Sequence, residues 1–217
     1  MKHITFYLDF ISPYAHLAFE ALPEALMGTS YSVRYTPVLF AGLLKHHGQL
    51  GPAEIASKRD WTYRQVLWLA HSRGIALEMP ASHPFNPLAL LRLALACSPE
   101  STPGMPNRYV CETIFRHVWR SGQDAGSAER VKMLAAQRCP AQDMLGNEVK
   151  SALKRNTDTA IFDGVFGVPA FVVDGKMFWG QDALLMLRDY LLNAPGFQNS
   201  GWESVSQVGV GTSRNAS

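Results

Sequence analysis

The sequence predicts an α/β fold in which one sheet is interrupted by a long all-helical insertion. Two short apolar stretches, residues 3–9 and 31–38, have the composition of buried strands, and the segment between them has helical apolar spacing. A strand, a helix and a second strand in this order form a right-handed parallel crossover. Strand character returns only at residues 170–179, so the two ends of the chain must share one sheet.

The first helix has a recognisable start. Ser12 is a good N-cap residue, and Pro13 fits the first helical position because its missing N–H is not needed there. Apolar residues then recur at helical spacing as far as about Met27, and Gly28 begins a stop signal. The second strand follows directly.

Helical spacing dominates residues 43 to about 154. Five helices are predicted there, over residues 61–72, 86–97, 107–119, 128–137 and 142–154. The chain then closes with a hairpin, in which strands 170–173 and 176–179 flank a turn at Asp174-Gly175, and with a helix from Gln181 to about Leu192.

These elements divide the chain into three parts. Residues 1–42 and 156–195 form the α/β domain, and residues 43–155 form the helical insertion. Residues 196–217 are rich in Gly, Ser, Asn and Gln, which predicts a mobile C-terminal tail.

Composition excludes several classes of protein. The 217 residues (24.0 kDa) are 47% apolar, which is enough for a sizeable core and rules out disorder throughout. With 20 Lys and Arg against 18 Asp and Glu, the net charge is only +2, so a nucleic-acid binder is not expected. A mean hydropathy of −0.05 and broken apolar runs predict no membrane span, and the start of the chain has no signal-peptide pattern.

The cysteines and histidines do not form a recognisable redox or metal motif. Cys97, Cys111 and Cys139 are an odd, widely spaced set, which predicts neither a disulfide framework nor a Cys-x-x-Cys site and favours a reducing cytosol. The seven histidines lack the spacing of a zinc helix, so no metal site is expected.

Four features are candidates for function, each with a structural alternative. Ser12 stands at a helix start that favours an anion, or only caps the helix. Val168-Pro169 precedes a strand; a cis bond there would leave backbone groups to bind a peptide-like ligand, whereas a trans bond is the commoner case. The third, Trp179-Gly180-Gln181-Asp182, carries a carboxylate that could grip an ammonium group or cap its own helix. The fourth is a set of polar side chains that could reach an anionic substrate or simply be solvated: Lys45, Gln49, Lys58, Asn86 and Arg92.

The order of these motifs resembles the thioredoxin superfamily, and more narrowly its DsbA-like branch. Within that branch four segments are similar to 2-hydroxychromene-2-carboxylate isomerases and, more distantly, to kappa-class glutathione transferases. They are Asp9-Phe-Ile-Ser12-Pro-Tyr-Ala-His, His83-Pro-Phe-Asn86, Gly164-Val-Phe-Gly-Val168-Pro169-Ala-Phe and Phe178-Trp-Gly-Gln-Asp182. The resemblance covers about residues 3–193 and implies a thioredoxin-like sheet with a helical insertion. It also implies that Val168-Pro169 is cis and lies beside Ser12.

The resemblance implies glutathione as the cofactor. Ser12-Pro13-Tyr14-Ala15 replaces the Cys-x-x-Cys of an oxidoreductase, so disulfide exchange is excluded, and the matching Ser faces the glutathione sulfur as the catalytic residue. Its hydroxyl and the helix start would lower the pKa of that thiol. The implied glutathione-binding residues are Val168, Pro169, Trp179, Gly180, Gln181, Asp182 and Lys58, with Gln181 and Asp182 at the γ-glutamyl end. The implied substrate-binding residues are Lys45, Gln49 and Asn86.

The chain also departs from the family pattern. Gln49 replaces the usual Asn, Trp61 replaces Tyr, Gln65 and Trp68 replace an Asp and an Arg, and Ala183 lacks an Arg that often follows the Gln-Asp pair. Most of these changes lie in the helical insertion and so concern the substrate more than the cofactor.

The implied reaction interconverts 2-hydroxychromene-2-carboxylate and trans-o-hydroxybenzylidenepyruvate, in cytoplasmic breakdown of naphthalene-type aromatic compounds. The implied partners are glutathione, a small aromatic carboxylate and a second copy of the chain. Two alternatives remain open: a kappa-like glutathione transferase, and a non-catalytic binding protein that keeps only the peptide-binding edge beside Pro169.

Overall fold

The computed structural model of the chain describes residues 1–197, 200–209 and 211. The strands are β1 (Lys2–Leu8), β2 (Tyr31–Pro37), β3 (Ala170–Val173) and β4 (Lys176–Trp179). The helices are α1 (Pro13–Ala25), α2 (Phe40–His46), α3 (Ala56–Ser72), α4 (Leu88–Ala96), α5 (Arg108–Trp119), α6 (Ala128–Arg138), α7 (Asn147–Phe162), α8 (Leu184–Leu191) and α9 (Ser200–Ser204). Short 3-10 turns lie at Pro52–Glu54, Pro195–Phe197 and Val205–Gln207.

The four strands form one mixed sheet in the order β2-β1-β3-β4. β1 runs parallel to β2 and antiparallel to β3, with Phe6 opposite Phe171. The β3–β4 hairpin has the predicted bounds, and its turn residues Asp174 and Gly175 both have positive φ, 50° and 75°, as a type I′ turn requires. The predicted sharing of one sheet by the two ends of the chain is confirmed.

Alternate residues of β1 enter two different apolar layers. Phe6 and Leu8 belong to the large core that includes α1, α4, α5 and α8, whereas Tyr7 packs with Val168 and Ala170 in a smaller cluster on the other face. Because β1 is buried on both faces, its C-terminal end is held firmly where the chain turns into α1. That end of the sheet carries the candidate site.

The insertion differs from its prediction in three helices. α2 was not predicted as a helix of its own, and α3 begins at Ala56 rather than at residue 61. α7 covers residues 147–162 rather than 142–154; Gly146 is its N-cap, and Leu145, within the predicted span, lies 65% exposed in the preceding turn. The final helix begins at Leu184, with Ala183 as its N-cap, three residues later than predicted.

Two aromatic residues from the segment predicted as a tail contact the body of the protein. The ring centroids of Phe197 and Tyr190 are 5.5 Å apart, and those of Trp202 and Phe178 are 6.3 Å apart. The division into domains and the mobility of the tail remain predictions. In residues 1–197, 200–209 and 211, none of the helices is long and apolar enough to cross a membrane.

Candidate functional site

Ser12 and Val168 meet at the end of the sheet, as predicted. Ser12 is the N-cap of α1, with φ −88° and ψ 115°, and its hydroxyl accepts a hydrogen bond from the Ala15 N–H at 3.2 Å. The same hydroxyl donates to the Val168 carbonyl at 3.4 Å, and the Val168–Pro169 peptide bond is cis. Ser12 therefore caps the helix and also faces the backbone before Pro169, so the two interpretations of this residue are not exclusive.

The start of α1 is open to an anion. Its first turn holds no acidic side chain, and Pro13 has no N–H. Ala15 N is bonded to Ser12, while the Tyr14 N–H donates to no acceptor in the described part of the chain. The positive end of the helix dipole and one free N–H thus point out beside the Ser12 hydroxyl.

A third segment, residues 179–182, is fastened to the same place. The Gly180 N–H donates to the Pro169 carbonyl at 2.9 Å, which ties this loop to the cis peptide. The Trp179 ring lies 4.9 Å from that of Phe166. A Cβ at Gly167 would lie 2.8 Å from Trp179 Nε1, so glycine is needed for the indole to fold over the loop.

Gln181 and Asp182 present the polar groups of this segment. Gln181 is buried, and its Oε1 accepts no hydrogen bond from any described residue. Asp182 is exposed, and burial followed by the charge of Asp182 raises the pKa of Tyr14. The Asp182 carboxylate therefore lies close enough to the Tyr14 hydroxyl for its charge to act on that group.

α3 covers the site from the insertion. The Tyr14 hydroxyl donates to Gln65 Oε1 at 2.5 Å, so a residue that departs from the family pattern contacts the first turn of α1. Lys58 lies seven residues before Gln65 and hence on the same face of the helix. It is exposed, as a side chain at the mouth of a site would be.

The remaining predicted residues are not joined to Ser12 by any contact among the described residues. Lys45 and Gln49 are exposed and make no side-chain hydrogen bond or ion pair there. Asn86 has a local structural role, because its Oδ1 accepts from the Leu88 N–H at 3.0 Å at the start of α4. Binding roles for these residues remain predictions.

Sequence reasoning missed how the loop before Ser12 is held. Asp9 is completely buried, with Oδ1 accepting from the Ile11 N–H at 3.1 Å and Oδ2 from the Phe40 N–H at 2.9 Å. The Ser12 N–H donates to the Asp9 carbonyl at 3.1 Å. Burial raises the pKa of the Asp9 carboxyl to about 7, against the lowering effect of these N–H donors.

Two side chains from the insertion complete this support. Trp119 Nε1 donates to the Phe10 carbonyl at 2.9 Å, and His83 Nε2 lies 2.8 Å from the Ile11 carbonyl oxygen. Asp9 and His83 belonged to the segments that carried the resemblance, which was the available signal for them. The role of Trp119 could not be predicted from the sequence, since an apolar residue at helical spacing indicates only a core position.

The cysteines lie outside the site. Cys97 and Cys139 follow the ends of α4 and α6, and Cys111 is buried within α5. The three segments that meet at Ser12 thus contain no thiol of their own. Burial raises the pKa of Cys111, so its thiol is inert at neutral pH.

Comparison with known proteins supports the predicted relationship. The chain is 27% identical over 208 residues to the 2-hydroxychromene-2-carboxylate isomerase of Sphingobium xenophagum, covering 88% of this chain and 99% of the relative. It is 28% identical over 203 residues to glutathione S-transferase kappa 1 of Rattus norvegicus, covering 86% and 88% respectively.

The fold agrees with that relationship. A solved structure of a 2-hydroxychromene-2-carboxylate isomerase superposes with a TM-score of 0.73 at 23% identity, covering 91% of this chain and all of that one. The profile of the DSBA-like thioredoxin domain matches residues 3–192. The predicted DsbA-like thioredoxin fold is confirmed, and the chain belongs to the DSBA-like thioredoxin domain family.

Proposed function

We propose that this protein is a glutathione-dependent isomerase acting on 2-hydroxychromene-2-carboxylate and trans-o-hydroxybenzylidenepyruvate. The observation that carries the proposal is the corner formed by Ser12 and Val168, where a helix start and a hydroxyl favour an anion and no cysteine is present. A thiolate held there would therefore belong to a bound molecule. When bound, glutathione would supply a nucleophilic thiolate.

The residues at this corner suit glutathione along its length. The Ser12 hydroxyl and the Tyr14 N–H would donate hydrogen bonds to the thiolate. The backbone of Val168 would pair with the peptide unit next to the thiolate. Gln181 Oε1, buried without a described partner, suits an N–H donor of the ligand. The exposed Asp182 carboxylate suits the α-ammonium group of the γ-glutamyl unit.

The chain's own residues would contribute binding and electrostatic stabilisation. The Ser12 hydroxyl donates only weakly to Val168, at 3.4 Å, so it can turn and donate to an anion instead. The helix start favours the same charge. Lys45, in the last turn of α2, is our candidate for the substrate carboxylate.

A transferase is the second candidate, because the identity to a kappa-class transferase, 28%, is as high as the 27% identity to an isomerase. Both functions need the same thiolate and differ only in the product. We expect glutathione to be required for turnover and the product to have the mass of the substrate. A product heavier by one glutathione would establish the transferase, and glutathione binding without turnover would favour a binding protein.

Asp182→Ala should weaken glutathione binding by about 1.5 kcal/mol, the low end for a bond to a charged group, because the carboxylate is exposed. That is roughly a tenfold rise in Kd, measurable by titration calorimetry. Asp189→Ala removes another exposed carboxylate on α8 and should leave the affinity unchanged. Equal affinities in both variants would remove Asp182 from the site.

Gly180→Ala and Gly175→Ala form a second matched pair. Both glycines have positive φ, 100° and 75°, so each substitution should lower the free energy of unfolding by about 1–2 kcal/mol. A Cβ at Gly175 meets open space, whereas one at Gly180 would collide with Asp182 Oδ1 and turn that carboxylate away. Only Gly180→Ala should therefore weaken glutathione binding as Asp182→Ala does. Equal binding in the two glycine variants, measured by calorimetry, would contradict this.

A further inference from the structure

His83 lies in the segment between α3 and α4 and contacts the loop that leads to Ser12. Its Nε2 is 2.8 Å from the Ile11 carbonyl oxygen, and its Nδ1 is 2.7 Å from the Tyr63 hydroxyl oxygen. The ring also lies 5.5 Å from that of Trp119. The imidazole thus joins α3 and α5 of the insertion to the residue before Ser12.

The chemistry of these partners fixes the tautomer. A carbonyl oxygen can only accept, so Nε2 must carry the proton that it shares with Ile11. Burial lowers the pKa of His83, which favours the neutral ring, so Nδ1 accepts from the Tyr63 hydroxyl. The Tyr63 oxygen also lies 2.9 Å from the His83 carbonyl, which competes for the same proton.

The peptide group between Ile11 and Ser12 depends on this contact. Its N–H donates to the Asp9 carbonyl at 3.1 Å, and its oxygen accepts from His83 and from no other residue in the described ranges. The plane of this peptide group ends at the Ser12 Cα. Its tilt therefore sets where the Ser12 hydroxyl and the first turn of α1 point.

We propose that His83, oriented by Tyr63, is a positioning residue that holds the Ile11–Ser12 peptide group and thereby aims the Ser12 hydroxyl at the thiolate. The inference rests on the proposed function for its kinetic effect. His83 acts on Ser12 through the Ile11 carbonyl and forms no hydrogen bond with the Ser12 side chain. Its contribution is to reduce the spread of Ser12 positions, and a misplacement of about 1 Å at a reacting group can cost about a hundredfold in rate.

Two substitutions of His83 separate its two nitrogens. His83→Gln keeps an amide N–H near the place of Nε2, whereas His83→Asn keeps one only near the place of Nδ1. We expect His83→Asn to lower kcat by about 10- to 100-fold with little change in KM for glutathione. His83→Gln should recover most of that loss, and Tyr63→Phe should fall between them.

A second readout follows the thiol directly. His83→Asn should raise the pH at which bound glutathione ionises, seen as thiolate absorbance, and His83→Gln should not. His117→Asn is the matched control, because His117 is also part-buried with Nε2 3.3 Å from a carbonyl, that of Ala125, away from Ser12. It should leave kcat and the thiol ionisation unchanged.

The outcomes keep this inference apart from the proposed function. If His83→Asn and His83→Gln are equally impaired, or if both match the wild type, His83 does not position Ser12, although the wild-type turnover still stands. If the wild type shows no turnover, the imidazole ¹⁵N spectrum of the free protein remains decisive. The proposal is supported if His83 carries its proton on Nε2 and if Tyr63→Phe makes that proton exchange faster with solvent. A proton on Nδ1 overturns the proposal.

Discussion

Ser12→Ala should slow isomerisation by a factor of order 10 to 1,000 and raise the pH at which bound glutathione ionises. The range is that for the loss of one well-placed donor to a developing anion. The substitution removes the hydroxyl that lies 3.4 Å from Val168, while the backbone of the α1 start remains. The rate is measured from the substrate's absorbance change, and the ionisation from thiolate absorbance in a pH titration.

Ser12 also caps α1, so the loss of the cap must be separated from the loss of the donor. Ser127→Ala provides the comparison, since Ser127 caps α6 by accepting from the Arg130 N–H. Both variants should lose about 1 kcal/mol of unfolding free energy, and only Ser12→Ala should change the thiol ionisation. Ser12→Cys should not improve activity, because glutathione already supplies the thiol.

An unshifted thiol titration with full activity in Ser12→Ala would leave Ser12 as a helix cap only. The transferase or the binding protein would then become the better interpretation. A slower rate with an unshifted thiol would instead place Ser12 on the substrate side of the reaction.

The parts of the fold that the sequence predicted are those with strong local signals. The β3–β4 hairpin is correct to the residue because Asp174-Gly175 can adopt the two positive φ values that the turn needs. The start of α1 is correct because Ser12 and Pro13 each suit one backbone position. In α7 the apolar pattern did not fix the ends, since the predicted span began with residues that lie in a turn, among them the exposed Leu145.

The support of the site could not be read from the sequence, because it depends on contacts between distant residues. Asp9 accepts from the N–H of Phe40, 31 residues away, and Phe10 accepts from Trp119, 109 residues away. Nothing in the local pattern of either pair indicates a partner. The order of motifs predicted which loops meet, and only the structure shows which side chains hold them in place.

Buried Asp9 and buried His16 should give the stability of the protein two opposed pH dependences. The folded-state pKa of Asp9, about 7, is raised above its unfolded value of about 3.9, so its contribution to stability is complete below pH 4 and is lost as the pH rises through 7. The shift corresponds to at most about 4 kcal/mol.

His16 acts in the other direction. Burial lowers its pKa to about 4, from an unfolded value of about 6.5, so its contribution is present above pH 6.5 and is lost as the pH falls through 4. The shift is worth at most about 3 kcal/mol. Between pH 4 and 6.5 the two effects largely cancel in the wild type.

Substituting either residue should therefore reveal the pH dependence of stability that the other residue causes. The unfolding free energy of Asp9→Asn minus that of the wild type should rise by up to about 4 kcal/mol between pH 4 and 7. The same difference for His16→Leu should fall by up to about 3 kcal/mol between pH 4 and 6.5. Urea unfolding at several pH values measures both, and Asp189→Asn, an exposed carboxylate, gives the baseline.

The direction in which the Asp9→Asn difference in unfolding free energy changes with pH shows whether burial or the backbone N–H donors dominate the pKa of Asp9. Two backbone N–H groups point at it, which favours the charged form, and complete burial favours the neutral form. If the unfolding free energy of Asp9→Asn minus that of the wild type falls as the pH rises, the N–H donors dominate and Asp9 stays ionised in the folded protein. A difference that rises would mean that burial prevails, and that near neutral pH the loop carrying Ser12 rests on a carboxyl group that is partly protonated.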